Sequence, residues 1–220
     1  MMLGMRWIAL WVVALVGTAV AQPATWVDVF NPSEERMKQV CDEGYENGEK
    51  KDVLLSLVLG LKYVYQSSAE LGPLDKLRIP RLTIELQPPL AQVYLLCRSQ
   101  ARSLKPKSYT GLTISQMTAV VILGGEVKDL KYAKDWAVAL SIRNKDGEEI
   151  TRLLPSSKVV GDAQRWSLDC SKSGCVWKGS NYYGFVLRKE DLDSMERLFI
   201  LYQLGSGVKE AEVLLKAFRQ

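Results

Sequence analysis

The spacing of apolar residues changes partway along the chain, and this change constrains the possible folds more than any other feature. Up to about residue 108, apolar residues recur mostly every three or four positions, as they do on one face of an α-helix. Beyond that point, short segments alternate apolar with polar residues, and turn-forming residues separate them. We therefore predict an α+β fold in which N-terminal helices pack on a mainly antiparallel β-sandwich of immunoglobulin-like outline.

The N-terminal region, residues 22–108, is predicted to contain three helices and one strand. A capping residue for the first helix is indicated at Asn31. The second helix spans 52–65 and is apolar nearly all round, which predicts deep burial. The third helix opens at Pro88–Pro89, because proline suits the first helical turn. Residues 81–86 alternate as a half-buried strand that could join the edge of a sheet.

The C-terminal region, residues 109–220, is predicted to form the β-sandwich domain. Its last segment, 210–218, fits either a strand or a helix, and the Gly-Ser-Gly turn at 205–207 favours a strand. The alternating patterns predict further strands near residues 118–123, 136–142, 150–154, 165–169, 175–178, 183–187 and 198–202.

Four cysteines constrain the fold further: Cys41, Cys97, Cys170 and Cys175. An even number predicts two disulfides in an oxidising compartment, and three pairings are possible. Cys41 and Cys97 each lie on the apolar stripe of a predicted helix, whereas Cys170 and Cys175 flank a predicted turn. We therefore expect the pairs Cys41–Cys97 and Cys170–Cys175. The alternative, a metal held by four thiolates, lacks any C-x-x-C spacing.

The first 21 residues have the pattern of a cleaved secretory signal. Arg6 precedes an apolar run at 7–16, and Ala19-Val20-Ala21 offers the small residues that signal peptidase requires. The alternative is an anchor that is kept, but the run is shorter than the roughly 20 residues that span a bilayer. We therefore expect a periplasmic or extracellular protein with no stable membrane span after cleavage.

The chain contains no histidine. This excludes Ser-His-Asp and Cys-His hydrolysis and histidine-based metal sites. Its formal net charge is +4 and its charges are interspersed, so nothing indicates a nucleic-acid partner. The sequence also shows no cofactor motif, and we expect neither a cofactor nor a metal ion.

Catalysis by carboxylates would need no histidine. Such an enzyme would most plausibly act on a glycan, with one acid in an apolar setting and its partner solvated. Two acidic clusters could supply the pair, Glu190, Asp191, Asp193 and Glu196 in one and Asp42, Glu43 and Glu46 in the other. Weaker alternatives are Ca²⁺ binding by the first cluster, a serine–lysine dyad at Ser206 and Lys209, and redox activity of Cys170 and Cys175.

One patch of the sequence has the composition of a binding surface. Aromatic faces beside amide and cationic groups suit sugar rings or a partner protein. The alternative is that these aromatic residues are core residues of the sandwich, with Tyr183 facing inward and Tyr182 outward. The predicted ligand-binding residues, all close to the second cysteine pair, are Trp166, Lys172, Trp177, Lys178, Asn181 and Tyr182.

These observations predict an exported, non-catalytic binding or accessory protein of the cell envelope. Its partner would be an envelope protein or a polysaccharide. One alternative is the carboxylate-dependent glycan hydrolase. The other is a subunit of an envelope protein complex, which would use an exposed apolar stripe on residues 52–65 as its interface.

Overall fold

The computed structural model of the chain describes residues 25–49, 61–67, 82–112, 117–171, 174–205 and 207–218. Within these residues the α-helices are α1 (Trp26–Phe30), α2 (Glu34–Glu49), α3 (Pro89–Arg102), α4 (Leu130–Lys134) and α5 (Lys189–Asp193). The strands are β1 (Tyr63–Ser67), β2 (Leu82–Gln87), β3 (Thr118–Val127), β4 (Ala137–Arg143), β5 (Glu149–Leu153), β6 (Ser157–Val159), β7 (Trp166–Ser171), β8 (Gly174–Val186), β9 (Arg197–Gln203) and β10 (Lys209–Val213). A short 3₁₀ turn, Leu215–Ala217, follows the last strand.

The strands form two antiparallel sheets. The six-stranded sheet has the order β1-β2-β3-β8-β6, with β7 paired to the free part of β8 beyond β6. The four-stranded sheet has the order β10-β9-β4-β5. Inward side chains of both sheets meet in one apolar core. The predicted α+β fold with an antiparallel sandwich is therefore confirmed.

The core between the sheets follows from the alternation of the strands. Ile84 and Tyr183 from the six-stranded sheet and Leu140 and Ile200 from the other are all buried. Each fully buried side chain of this size contributes roughly 1.5–3 kcal/mol. Trp26 in α1 joins the same core, so the first helix packs on the sandwich.

A second, smaller apolar cluster holds α2 against α3. The helices approach closely because two glycines of α2 face the α3 backbone. A β-carbon at Gly44 would lie 2.5 Å from the carbonyl oxygen of Tyr94, and one at Gly48 would lie 2.6 Å from that of Arg98. The disulfide Cys41–Cys97, as predicted, joins the same pair of helices.

Two details of the helical region differ from prediction. The helix α2 is capped by Ser33, whose hydroxyl accepts a hydrogen bond from the Arg36 amide, and not by Asn31. Residues 52–60 of the predicted second helix lie outside the described residues, and residues 63–65 belong to β1. Tyr65 fits both patterns: its spacing from Leu61 is that of a helix, and it also belongs to an alternation typical of a strand.

The predicted strand near residues 81–86 is β2, and it lies inside the sheet between β1 and β3 and not at an edge. Two strands of the region predicted to be mainly helical therefore pair into the sandwich. Among the described helices, none combines the length and the apolar character needed to cross a bilayer.

Candidate binding site: the β7–β8 hairpin

The predicted patch maps to a hairpin formed by β7 and the first part of β8. Residues pair from Trp166 opposite Gly179 to Ser171 opposite Gly174, with no irregularity in register. The neighbouring strand β3 accompanies β8 only as far as Trp177, which pairs with Val127. The end of the hairpin therefore extends past its neighbour, and no described strand pairs with the outer edge of β7.

The hydrogen-bond phase of the hairpin determines which backbone groups face that outer edge. The Ser180 amide donates to the carbonyl oxygen of Arg165 at 3.3 Å, so residue 165 bonds toward β8. Because the phase alternates along an antiparallel pair, the N–H and C=O groups of Leu168 and Cys170 point away from β8. The short Cα–Cα distance of 4.0 Å between Cys170 and Cys175 agrees with a non-hydrogen-bonded pair.

The hairpin continues the apolar side of the sheet out of the core. Trp166, at its base, is only 3% exposed and packs edge-on against Trp136 with ring centroids 5.5 Å apart. Trp177 is partly buried against the same core. Leu168, directly opposite Trp177, is 52% exposed, and the Cys170–Cys175 disulfide beyond it is also exposed. This row of Trp177, Leu168 and the disulfide is named the apolar ledge.

The opposite side of the hairpin is polar. The Lys178 ammonium lies 2.7 Å from the Asp169 carboxylate and 3.2 Å from that of Glu126. The hydrogen bonds that Lys178 donates to these two carboxylates raise its pKa above its ordinary value. A groove of about 480 Å³ runs along this side between Lys128 and Val176.

Asn181 lies below the hairpin and has a structural role. Its Oδ1 accepts hydrogen bonds from the Trp166 indole at 3.1 Å and from the Gly161 amide at 2.9 Å. Its Nδ2 donates to the carbonyl oxygen of Ala133 at 2.6 Å. Nearby, Tyr183 donates to a backbone carbonyl, and burial raises its pKa to about 12. The buried amide of Asn181 therefore links β8 by hydrogen bonds to Gly161, Trp166 and Ala133.

The structure does not bring the six predicted binding residues onto one surface. Trp166 and Asn181 are buried, so their expected contact with a ligand is corrected to a role in the core. Trp177 and Lys178 are adjacent in a strand and therefore point to opposite faces of it. Tyr182 is half-buried, with the Arg165 guanidinium 4.9 Å from its ring centroid. Lys172 lies outside the described residues.

Sequence reasoning missed Leu168 and Asp169. Both residues occur within the predicted strand near 165–169, and the same alternation that buries Trp166 places Leu168 on the same face. The missing information was that the strand extends beyond the sandwich, because that depends on pairing with β8 and on where β3 ends.

One carboxyl of each acidic cluster has a pKa below its ordinary value. Asp191 is buried, and hydrogen bonds from Arg188 lower its pKa, whereas a general acid needs a raised pKa. Asp42 accepts hydrogen bonds from Lys107 and Tyr109, which also lower its pKa. Every carboxyl with a resolved pKa shift in the described residues is shifted downward: Glu34, Asp42, Asp129, Glu149, Asp191 and Glu212.

The described residues bear on two of the remaining hypotheses, metal binding and the cysteine pair. In the parts of the chain that the structure describes, no group of three or more cysteine, aspartate or glutamate residues is placed to hold a metal ion. Ser206 lies outside these parts, so the serine–lysine dyad stays a prediction. Cys170 and Cys175 form the expected disulfide across the hairpin.

No family model, no curated protein and no solved structure matches this chain. Its function is therefore inferred from its own residues, beginning with the β7–β8 hairpin. The hairpin combines exposed apolar side chains, an open strand edge and a polar groove on one projecting element.

Proposed function

We propose that the protein is an exported, non-catalytic binding or accessory protein of the cell envelope, and that it contacts a partner protein through the apolar ledge. The observation that carries this proposal is the exposure of Leu168 at 52%, on a face that continues directly from the core. Apolar side chains on a projecting element lose water when a partner covers them, which favours association.

A protein partner suits this surface better than a polysaccharide does. Sugar rings stack on open aromatic faces. Here Trp166 is buried, the Tyr182 ring lies beneath the Arg165 guanidinium, and Trp177 is partly buried against the core. What the ledge offers instead is an aliphatic side chain and a disulfide, as in the apolar centre of a protein interface.

A polysaccharide stays the second candidate because of the groove on the opposite side of the hairpin. Its lining includes Asp169, Lys178 and Glu126, whose charged groups are suited to hydrogen bonds with hydroxyls. Binding of envelope polysaccharides that is lost with Lys178→Ala but kept with Leu168→Ser would favour this candidate.

Export is supported by the two disulfides. Cys41–Cys97 lies in the helical cluster and Cys170–Cys175 on the hairpin, and together they use all four cysteines. Structural disulfides form and persist mainly in oxidising compartments. The predicted signal, residues 1–21, lies outside the described residues, so its cleavage stays part of the proposal. N-terminal sequencing of the protein from its host tests it directly.

The decisive experiment is site-specific photo-cross-linking in the native host. A photoreactive amino acid at position 168 is expected to give one recurrent cross-linked protein. The matched control is position 150 in β5, where Ile150 is 48% exposed and thus equally accessible. Equal cross-linking from both positions, or none from position 168, would contradict the proposal. Cross-links arising instead from α2 and α3 would favour an envelope-complex subunit that docks through its helices.

A further inference from the structure

The outer edge of β7 lacks the protection that the edges at β10 and β6 carry. Native proteins protect free edges with charges, prolines, bulges or very short strands. The edge strand β10 carries Lys209, Glu210 and Glu212, and β6 has only three residues and follows Pro155. By contrast β7 has six residues in regular register, and its one charged residue is Asp169.

This edge presents backbone groups ready for pairing. The N–H and C=O groups of Leu168 and Cys170 point outward, as the hydrogen-bond phase of the hairpin shows, and both residues are exposed. The disulfide joins Cys170 to the opposite strand and so holds the hairpin in its paired form. An extended segment laid along the edge would therefore meet four preformed hydrogen-bonding groups.

A second copy of this chain is a poor occupant of the edge. The antiparallel self-pairing that uses the groups of both Leu168 and Cys170 places Asp169 directly opposite the Asp169 of the other copy. Like charges in that position destabilise a strand pair. A second antiparallel self-pairing would place Leu168 opposite Leu168 and Cys170 opposite Trp166. It would need a strand beside Trp166, which is buried within the protein.

The same carboxylate favours a strand that brings a positive charge. Asp169 belongs to the outermost strand of the hairpin, so its side chain is the nearest charge to an added strand. The neighbours of a basic residue placed opposite Asp169 would alternate onto the face of Leu168 and Trp177, where apolar side chains fit.

We infer that an extended segment of the partner protein, with an apolar–basic–apolar alternation, adds as a strand to the outer edge of β7 over residues 168–170. This inference rests on the proposed function, because it specifies how the partner of the apolar ledge is bound. Main-chain hydrogen bonds then give affinity, and Asp169 selects the basic residue.

The protein itself supplies a probe for this strand addition. A chain with Asp169→Lys, mixed with the unaltered chain, places a lysine opposite Asp169 in the register that self-repulsion otherwise blocks. We expect each chain alone to be monomeric and the equimolar mixture to form a heterodimer at concentrations up to about 0.5 mM. Native mass spectrometry and sedimentation equilibrium distinguish these species. A mixture that stays monomeric would overturn the inference.

A matched pair of variants tests whether the backbone makes the contact. Leu168→Pro removes an N–H that points to the open edge and therefore breaks no hydrogen bond within the hairpin. Leu168→Val keeps that N–H and a strand-forming side chain. When placed in the Asp169 chain, Leu168→Pro is expected to weaken the heterodimer by about tenfold or more, and Leu168→Val by less than about threefold. Hydrogen exchange at the Val176 and Lys178 amides, which face β7, checks that each hairpin is still formed.

The variants Leu168→Pro and Leu168→Val also distinguish a failure of this inference from a failure of the proposed function. With the photoreactive amino acid moved to position 171 in the native host, Leu168→Pro should lose the partner and Leu168→Val should keep it. If both variants keep the partner, the side chains of the ledge bind it without strand addition, and this inference is wrong while the proposed function stands. Absence of any cross-link from position 168 in the unaltered chain removes the proposed function itself.

Discussion

Apolar residues outside the core are shielded from water on the outer face of the four-stranded sheet but are exposed on the β7–β8 hairpin. On the four-stranded sheet, Phe199 points away from the core, yet it is only 5% exposed. The guanidinium groups of Arg143 and Arg197 lie 4.0 and 5.0 Å from its ring centroid and cover it. On the hairpin Leu168 is 52% exposed, and no residue in the described part of the chain shields it in this way. The protein can therefore shield an apolar side chain on a sheet, and it does so on only one of the two surfaces.

The difference arises from the side chains that surround Phe199 and Leu168. Arg143 is held by Glu210 at 2.6 Å, and Arg197 by Glu212 at 2.9 Å, so both long side chains are fixed over the ring. In β7 the neighbours on the face of Leu168 are Trp166, which is buried in the core, and Cys170, which is bound in the disulfide, so neither is a long charged side chain that could cover it. Long charged side chains thus shield the ring, whereas under the proposed function the partner shields the ledge.

The largest expected effect separates the two surfaces by stability. Phe199→Ala should lower the free energy of unfolding by about 3–5 kcal/mol, because it removes a buried ring. Leu168→Ala should lower it by less than about 1 kcal/mol, because half of that side chain is already in water. Urea unfolding measures both. Similar losses for the two variants would mean that the ledge is part of the folding core.

A smaller effect is expected at the base of the hairpin. Asn181→Leu leaves the Trp166 indole and the Gly161 amide without their acceptor, and should lower the free energy of unfolding by about 2 kcal/mol. Tyr183→Phe is the control, since it removes one hydroxyl that bonds to the Trp136 carbonyl, for a loss of about 1 kcal/mol. A neutral Asn181→Leu variant would show that the amide does not hold the base of the hairpin.

The smallest effect is a pH dependence of the shielded face. A hydrogen bond from Arg197 lowers the pKa of Glu212 below its ordinary value of 4.5. Its contribution to stability is therefore complete above pH 4.5 and is lost as the pH falls through the lowered pKa of the folded state. Because the pair is partly exposed, the loss amounts to roughly a few tenths of a kcal/mol.

Thermal unfolding between about pH 3 and 6 measures this dependence. Glu212→Gln should be less stable than the unaltered chain above this window and should show a flatter profile within it. Parallel profiles for the two proteins would show that the ion pair contributes nothing to the shielding of Phe199.

Much of the fold could be predicted because its cause is local. Alternation in residues 198–202 places Leu198 and Ile200 in the core, and the cysteines were paired correctly because each lies on a recognisable stripe or turn. The strand β1 was missed because Leu61 and Tyr65 fit two periods at once. Neighbours joined by short turns, as in β4–β5 and β7–β8, could be predicted. The neighbours of β3 could not, because its pairing with β2 and β8 is non-local.

The candidate site was harder to predict than the fold for a related reason. Its residues were grouped by their closeness in the sequence, whereas a strand sends adjacent side chains to opposite faces. Asparagine is usually found at the surface, and the burial of Asn181 depends on hydrogen-bond acceptors and donors from distant segments. Leu168 is exposed at the level where β3 stops pairing with β8, opposite Trp177. No local sequence pattern encodes where that pairing stops.

The position of β3 also bears on how the chain can be divided and in what order it folds. Val121 pairs with Leu86 on one side and with Tyr183 on the other, so one strand joins parts of the chain that are far apart in sequence. Contacts of such long sequence separation slow folding, because the intervening chain must be closed into loops first. A fragment cut at residue 108 would leave the long β3 strand with a bare edge, and we expect such a fragment to aggregate. Expression of the hairpin and its sheet therefore requires the strands that precede α3.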